Sequence, residues 1–227
     1  MDLEQLIKDA LASVEQVEAI RPEDIPRIEL YMDQVTRFME QHLKNATRNP
    51  ETDKILTKTM INNYAKNDLL PPPVKKKYSR EHIIFLIFIY YFKNFMSISD
   101  IQTVLSPIAE ELFRGASESE GSAKNDDYTL ETLYEKVFSG QEEIVIKHLE
   151  EDVDEVWKHT CEILSDVPAE YADDARMLGF ITNLGFDVFA KKLLIEKLID
   201  SYRQSAQAAA PEKDDVKRKK EKKTTDK

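Results

Sequence analysis

Residues 56–105 read LTKTMINNYAKNDLLPPPVKKKYSREHIIFLIFIYYFKNFMSISDIQTVL. The stretch has three parts: an amphipathic segment that ends at Leu70, a turn rich in proline and lysine over residues 71–77, and an unbroken apolar run over residues 83–92. Proline cannot continue a helix, and a helix that is apolar on every side is a buried one. The order therefore predicts a helix, a basic turn and a central core helix, followed by a further helix capped by Ser97.

A helix over residues 57–68 would place its polar and apolar residues on opposite sides. Thr57 can cap its start, and Tyr64 would anchor its apolar side to the core. Its polar side would hold Thr59, Asn62, Asn63 and Lys66. Asparagine can pair with the adenine edge in the major groove, and lysine and threonine bind phosphates or base edges. The segment is therefore either a DNA-reading helix or an ordinary solvated helix face.

The turn that follows concentrates positive charge. Pro71-Pro72-Pro73 favours an extended chain, and three lysines come directly after it, Lys75, Lys76 and Lys77. Residues 54–105 carry eight Lys and Arg against three acids, a net charge of +5, whereas the whole chain has a net charge of −11. This contrast favours a polyanionic partner, with the three lysines and Arg80 holding phosphates.

Composition and spacing divide the chain into five parts. Residues 1–22 form an amphipathic helix, and residues 23–110 form a winged helix-turn-helix domain whose first helix starts near Pro26. Residues 111–127 are a polar linker. Residues 128–204 form an acidic helical domain, and residues 205–227 form a disordered basic tail. The predicted fold is mainly α.

The acidic domain calls for a role other than DNA binding. Residues 106–205 contain 10 bases and 23 acids, a net charge of −13, which would repel DNA. We expect this region to pair two copies in a homodimer or to bind a protein partner. The single cysteine, Cys161, and the lack of a secretion signal after Met1 predict a cytoplasmic protein without a membrane span.

The central stretch resembles the DNA-binding domain of MerR-type regulators. The resemblance rests on Tyr64 and on the runs at residues 68–72, 76–79 and 95–101, and it covers about a third of the chain. More closely, the stretch is similar to a bacterial domain family of unknown function that is thought to carry a MerR-like fold. The resemblance implies a winged helix-turn-helix and a C-terminal helical region that pairs two subunits.

Three positions depart from the MerR-type pattern. Asn62-Asn63 stands where that family has Arg-Tyr, Asp68 stands where it has glycine, and Lys76 replaces the arginine of the wing. The resemblance therefore implies the fold more firmly than the DNA contacts. A non-catalytic protein-binding adaptor with the same fold remains an alternative.

We find no set of residues typical of catalysis. His148, Asp152, Glu155 and His159 would share one helical face, but an acidic solvated face explains them better than a zinc site does. Cys161 has the surroundings of a structural thiol. We therefore predict no enzyme activity, no cofactor and no metal.

The resulting hypothesis is a dimeric transcriptional regulator that binds double-stranded DNA. Its recognition helix would enter the major groove and its wing, residues 71–78, would lie on phosphates. The predicted DNA-binding residues are Thr57, Lys58, Thr59, Asn62, Asn63, Tyr64, Lys66, Lys75, Lys76, Lys77, Tyr78 and Arg80.

Overall fold

The computed structural model describes residues 2–17, 19–113, 128–138 and 141–209. These residues form eight α-helices and two short strands, which confirms the prediction of a mainly helical chain. The helices are α1 (Leu3–Glu15), α2 (Met32–Leu43), α3 (Lys58–Lys66), α4 (Arg80–Phe92), α5 (Ile98–Ile108), α6 (Leu130–Phe138), α7 (Gln141–Ile163) and α8 (Ala172–Ala209). The strands are β1 (Leu30–Tyr31) and β2 (Lys77–Tyr78). Two 3₁₀ turns, Pro22–Asp24 and Lys44–Ala46, and a π-helical turn, Ala109–Phe113, complete the elements.

A two-residue strand precedes the first helix of the core. β1 pairs antiparallel with β2, so that Leu30 lies opposite Tyr78. The sequence predicted that this helix begins near Pro26. It begins at Met32 instead, because the strand pairing holds the two residues before it in an extended conformation. The pairing ties the start of α2 to the chain that enters α4.

Local hydrogen bonds fix both ends of α3. The hydroxyl oxygen of Thr57 accepts a backbone N–H of the first turn at 3.2 Å, as the sequence predicted for a cap. At the other end, Asp68 has a φ of 55°, and the N–H groups of Leu69 and Leu70 donate to the carbonyl of Tyr64 at 2.9 and 3.2 Å. These bonds end the helix, and both leucines become buried in the core.

α4 is the central helix of the core, as its apolar run predicted. All residues from His82 to Tyr90 are buried. The ring of Phe88 meets Tyr134 edge to face, with centroids 5.7 Å apart, and lies 5.6 Å from the ring of Phe138. Among the described helices, α4 included, none is long and apolar enough to cross a membrane.

α6 completes the same core, although it belongs by sequence to the acidic region predicted for residues 128–204. Its Leu130 and Tyr134 are buried in one cluster with α4. The hydroxyl of Tyr134 donates to the carbonyl of Ile20 at 2.5 Å, and burial raises the pKa of this phenol above its ordinary value. The sequence does not reveal that α6 belongs to this core, because α6 follows the polar residues 114–127, which lie outside the described residues. The packed unit that begins before β1 extends to Phe138.

α7 and α8 run antiparallel to each other. Trp157 packs edge to face on Phe180, with centroids 5.5 Å apart. Asn183 Nδ2 donates to Thr160 Oγ1 at 3.3 Å. Gly179 allows this close approach, because a Cβ there would lie 3.1 Å from the Thr160 methyl group. α8 is one continuous helix from Ala172 to Ala209.

The last third of α8 packs on α5. Ile199 is buried, and Arg203 donates to Asp100 Oδ1 at 3.0 Å and to Thr103 Oγ1 at 3.0 Å. The hydrogen bonds from Ser97 and Arg203 hold the pKa of Asp100 below its ordinary value. α8 ends at Ala209, five residues beyond the predicted limit of the helical region. The rest of the predicted tail lies outside the described residues.

Candidate nucleic-acid interface

The polar side of α3 faces solvent. Thr59, Asn62, Asn63 and Lys66 are exposed, whereas Ile61 on the opposite side is fully buried. Within the described part of the chain, no residue forms a side-chain hydrogen bond or ion pair with these four side chains. Two amides, a hydroxyl and an ammonium group are therefore available to a partner.

The basic wing ends in a tight hairpin turn. Lys75 and Lys76 have φ values of 51° and 63°, and the N–H of Lys77 donates to the carbonyl of Val74 at 2.9 Å. Positive φ at both central positions with this hydrogen bond is typical of a type I′ turn, which usually carries Asn-Gly. The sequence predicted extended lysines, but the turn instead projects Lys75 and Lys76 from its tip, where both are exposed.

Two ion pairs bring α3 and the wing to the same part of the fold. Lys58, the first residue of α3, pairs with Asp33 in α2. Lys77 pairs with Glu29 at 3.4 Å. Glu29 and Asp33 are four residues apart, at most about 14 Å of extended chain, so α3 and the wing are neighbours. Sequence spacing could not reveal these pairs, because their partners lie more than 20 residues away.

Both ion pairs are open to solvent. At least one third of each side chain is exposed, with values of 61% and 71% for Lys58 and Asp33 and of 38% and 52% for Lys77 and Glu29. Exposed pairs of this kind contribute only about 0–1 kcal/mol to stability. A phosphate group can therefore replace either carboxylate at small cost, and both lysines remain candidates for phosphate binding.

A buried histidine fixes the base of the wing. His82 is 2% exposed, and its Nδ1 accepts the N–H of Ser79 at 3.0 Å. Burial lowers the pKa of His82 below its ordinary value, against the opposing effect of hydrogen bonds to the carbonyls of Pro72 and Pro71. The ring thus links the start of α4 to the first two residues of the wing. The sequence signal for this role of His82 is its position three residues after the capping Ser79, where a side chain can accept the backbone N–H of the cap.

Arg80 points into the core, contrary to the prediction that it holds a phosphate. Its side chain is 11% exposed, and its guanidinium donates to the carbonyls of Ile25 and Pro22 at 2.6 and 2.5 Å and to Glu131 at 2.7 Å. These three acceptors occupy the side chain and join α4 to α6 and to the segment before β1. Arg80 therefore stabilises the core.

Lys93 is a second base that contributes to the net charge of +5 over residues 54–105 but is hydrogen-bonded within the fold. Its Nζ donates to the carbonyl of Ile55 at 2.8 Å and lies 4.6 Å from the centre of the Tyr90 ring. Burial lowers the pKa of this ammonium group. Lys93 therefore holds the loop that leads into α3.

Three other predicted contacts support the surface from within. Thr57 caps α3, Tyr64 is 8% exposed and Tyr78 is 3% exposed. Burial raises the pKa values of both phenols. The remaining predicted residues other than Arg80, all exposed except the half-buried Lys77, form what we call the α3–wing surface. It consists of Lys58, Thr59, Asn62, Asn63, Lys66, Lys75, Lys76 and Lys77.

The predicted acidic domain contributes α7 and α8, which we call the acidic helices. Within the described ranges, no three His, Cys, Asp or Glu side chains lie close enough to hold a metal ion. Cys161 is a free, partly buried thiol. Among the described side chains, the histidines and carboxylates of α7 form no such cluster.

Comparison with known proteins agrees with the packing. Residues 20–137 match a family described as Domain of unknown function (DUF1836), which covers just over half of the chain. The matched span runs from Ile20 to the last turn of α6 and so includes the core built around α4. The similarity to a family of unknown function is thereby confirmed. No curated protein and no solved structure matches the chain.

Proposed function

We propose that this chain, which belongs to the DUF1836 family of domains of unknown function, is a DNA-binding transcriptional regulator with a MerR-like winged helix-turn-helix. α3 enters the major groove, and the wing lies on the phosphates beside it. The α3–wing surface carries this proposal, because it combines exposed amides with lysines at a projecting turn. In the described residues, neither α1 nor the acidic helices bury these side chains.

Within this proposal, the two asparagines read bases. The amide of Asn62 or Asn63 offers a donor and an acceptor that match the N6 and N7 groups of adenine. Lys66 is one turn further along α3, where it reaches guanine or the backbone. One good bidentate contact contributes about 1–3 kcal/mol of discrimination against the wrong base.

The other four lysines of the α3–wing surface, Lys58, Lys75, Lys76 and Lys77, position the helix without reading sequence. Lys75 and Lys76 lie at the turn, while Lys58 and Lys77 exchange their carboxylate partners for phosphates. The net charge of −13 over residues 106–205 disfavours any contact between DNA and the acidic helices. We expect this division of charge to restrict DNA to the α3–wing surface. The lone Cys161 fits a cytoplasmic location.

Fluorescence anisotropy on duplex DNA tests the proposal. The full chain should bind random-sequence DNA with an affinity that falls steeply between 50 and about 200 mM salt. A preferred sequence can then be selected from a random pool. Asn62→Ala should weaken binding to that sequence by about 1–3 kcal/mol, with little loss of affinity for random DNA. Lys76→Ala should weaken binding to the selected sequence and to random DNA alike, because Lys76 contacts phosphate and not bases. Absence of salt-dependent binding at low salt would contradict the proposal.

A protein-binding adaptor is the second candidate, and exposed apolar side chains on α8 favour it. Phe186, for example, is 68% exposed. In that case the acidic helices would bind the partner protein, and the α3–wing surface would have no affinity for DNA. The salt series separates the two candidates, because an adaptor of this kind would leave the anisotropy of random DNA unchanged.

A further inference from the structure

The outer face of the wing carries a row of three side chains. Lys77 of β2 lies opposite Tyr31 of β1 on one side and opposite Val74 on the other. Residues directly opposite each other in an antiparallel pair direct their side chains to the same face. The inner face, where Leu30 lies opposite Tyr78, is buried in the core. Tyr31, Lys77 and Val74 therefore share the outer face, and we call them the outer row.

Two members of the outer row are large, mainly apolar side chains that remain exposed. Tyr31 is 55% exposed and Val74 is 65% exposed. A strand pair with one face in the core usually presents polar side chains on its other face. Neither residue belongs to the buried core, and neither is part of the α3–wing surface. Their position together in one row indicates a surface that a partner covers.

The outer row lies between α3 and the tip of the wing. Tyr31 comes two residues before Asp33, which pairs with Lys58 at the start of α3. Val74 directly precedes the two lysines of the wing turn. The ammonium group of Lys77 lies 5.9 Å from the centre of the Tyr31 ring. A duplex that contacts both α3 and the wing turn must therefore pass over the outer row.

The size and the surroundings of the outer row favour DNA over a protein partner. Its two apolar side chains offer roughly 200 Å² of exposed surface, whereas a specific protein interface needs about 800 Å² on each partner. Four lysines and two carboxylates lie beside the row, a net charge of +2: Lys58, Lys75, Lys76, Lys77, Glu29 and Asp33. The sugar–phosphate backbone of DNA matches this mixture, because its negative phosphates alternate with the apolar faces of deoxyribose.

We propose that the outer row binds the DNA backbone, with Tyr31 and Val74 packed on deoxyribose and Lys77 on an adjacent phosphate. The inference rests on the proposed function and deepens it, because it assigns part of the affinity to two uncharged residues. Burial of about 60 Å² of apolar surface corresponds to about a tenfold gain in affinity. The sugar is the same at every base pair, so this gain is independent of sequence.

Fluorescence anisotropy of the full chain on random-sequence duplex DNA, across a salt series, tests the outer row. Tyr31→Ala should weaken binding about tenfold at every salt concentration, and Val74→Ser should weaken it severalfold. Neither variant should change the slope of log K against log salt, because neither removes a charge. Lys77→Gln, in contrast, should reduce that slope by about 0.9. Tyr171→Ala is the matched control, because Tyr171 is 60% exposed next to α8, and it should bind like the parent chain.

Tyr31→Phe separates the ring from its hydroxyl group. It should bind as tightly as the parent chain, because it retains the packed surface. Weak binding by Tyr31→Phe would assign a phosphate contact to the hydroxyl group and overturn the apolar contact. A loss in Tyr31→Ala that is confined to the selected sequence would place the ring on a base and overturn it as well. Val74→Ser decides the question if Tyr31→Ala unfolds in circular dichroism.

The parent chain separates this inference from the proposed function. A parent chain that binds DNA, with unchanged affinity in Tyr31→Ala and Val74→Ser, would overturn the role of the outer row alone. A parent chain that binds no DNA at low salt would contradict the proposed function, and the outer row would lose its proposed partner with it.

Discussion

Replacing the two lysines of the wing turn by Asn-Gly should make the protein more stable and its DNA binding weaker. Lys75 and Lys76 occupy left-handed backbone conformations that favour asparagine and glycine. Both side chains point into solvent, and within the described residues neither has a hydrogen-bond or ion-pair partner. The substitutions Lys75→Asn and Lys76→Gly therefore remove strain and charge without removing packing.

The two effects have different sizes and different readouts. Left-handed conformation costs about 1 kcal/mol for each lysine, and the extra freedom of glycine in the unfolded chain returns about 0.5–1 kcal/mol of that. The free energy of unfolding should rise by about 1 kcal/mol, which raises Tm by about 2–4 °C in a chain of this length. Loss of two phosphate contacts should reduce the slope of log K against log salt by about 1.8.

Thermal unfolding and a DNA salt series on the same preparations measure both effects. The control variant carries Lys147→Gln and Lys158→Gln, which remove the same charge from exposed positions on α7. The control should leave the salt slope nearly unchanged. A lower Tm in the turn variant would refute the strained turn. A higher Tm with an unchanged slope would show that the turn lysines do not contact phosphate.

Three further predictions concern His82, Arg80 and Asp33. Because burial lowers the folded-state pKa of His82, the unfolded chain takes up a proton first as pH falls below 6.5. Stability should therefore fall through that window in urea titrations, and His82→Gln should lack this component. Arg80→Leu should lower the free energy of unfolding by about 2–4 kcal/mol, because it leaves two carbonyls and Glu131 unpaired; exposed Arg27→Leu should change it by less than about 0.5 kcal/mol. Asp33→Asn frees Lys58 and should tighten DNA binding in anisotropy measurements; equal tightening by Asp154→Asn on α7 would contradict a local effect.

Features that depend on neighbouring residues could be predicted from the sequence. The unbroken apolar run of α4 predicts its burial, and Thr57 caps α3 because a hydroxyl at that position can reach the first turn. The exposed polar face of α3 follows from helical spacing alone. Each of these depends on residues within a few positions of one another.

Features that depend on distant partners could not be predicted. Arg80 finds its acceptors 51 to 58 residues away, and Tyr134 finds the Ile20 carbonyl 114 residues away. A count of charged residues cannot distinguish a buried arginine from an exposed lysine, since each contributes one positive charge. The hairpin at Lys75-Lys76 is also hidden, because lysine is an unusual residue for left-handed backbone.

The position of α6 determines where the protein can be cut. A fragment ending at residue 110 would uncover the aromatic side of α4, where Phe88 packs on Tyr134, and would leave Arg80 without Glu131. Such a fragment should aggregate, since it exposes surface that the intact core buries. A shortened version intended for crystallisation or for binding assays should therefore extend at least to Phe138. A failed assay on a shorter version would report only its misfolding.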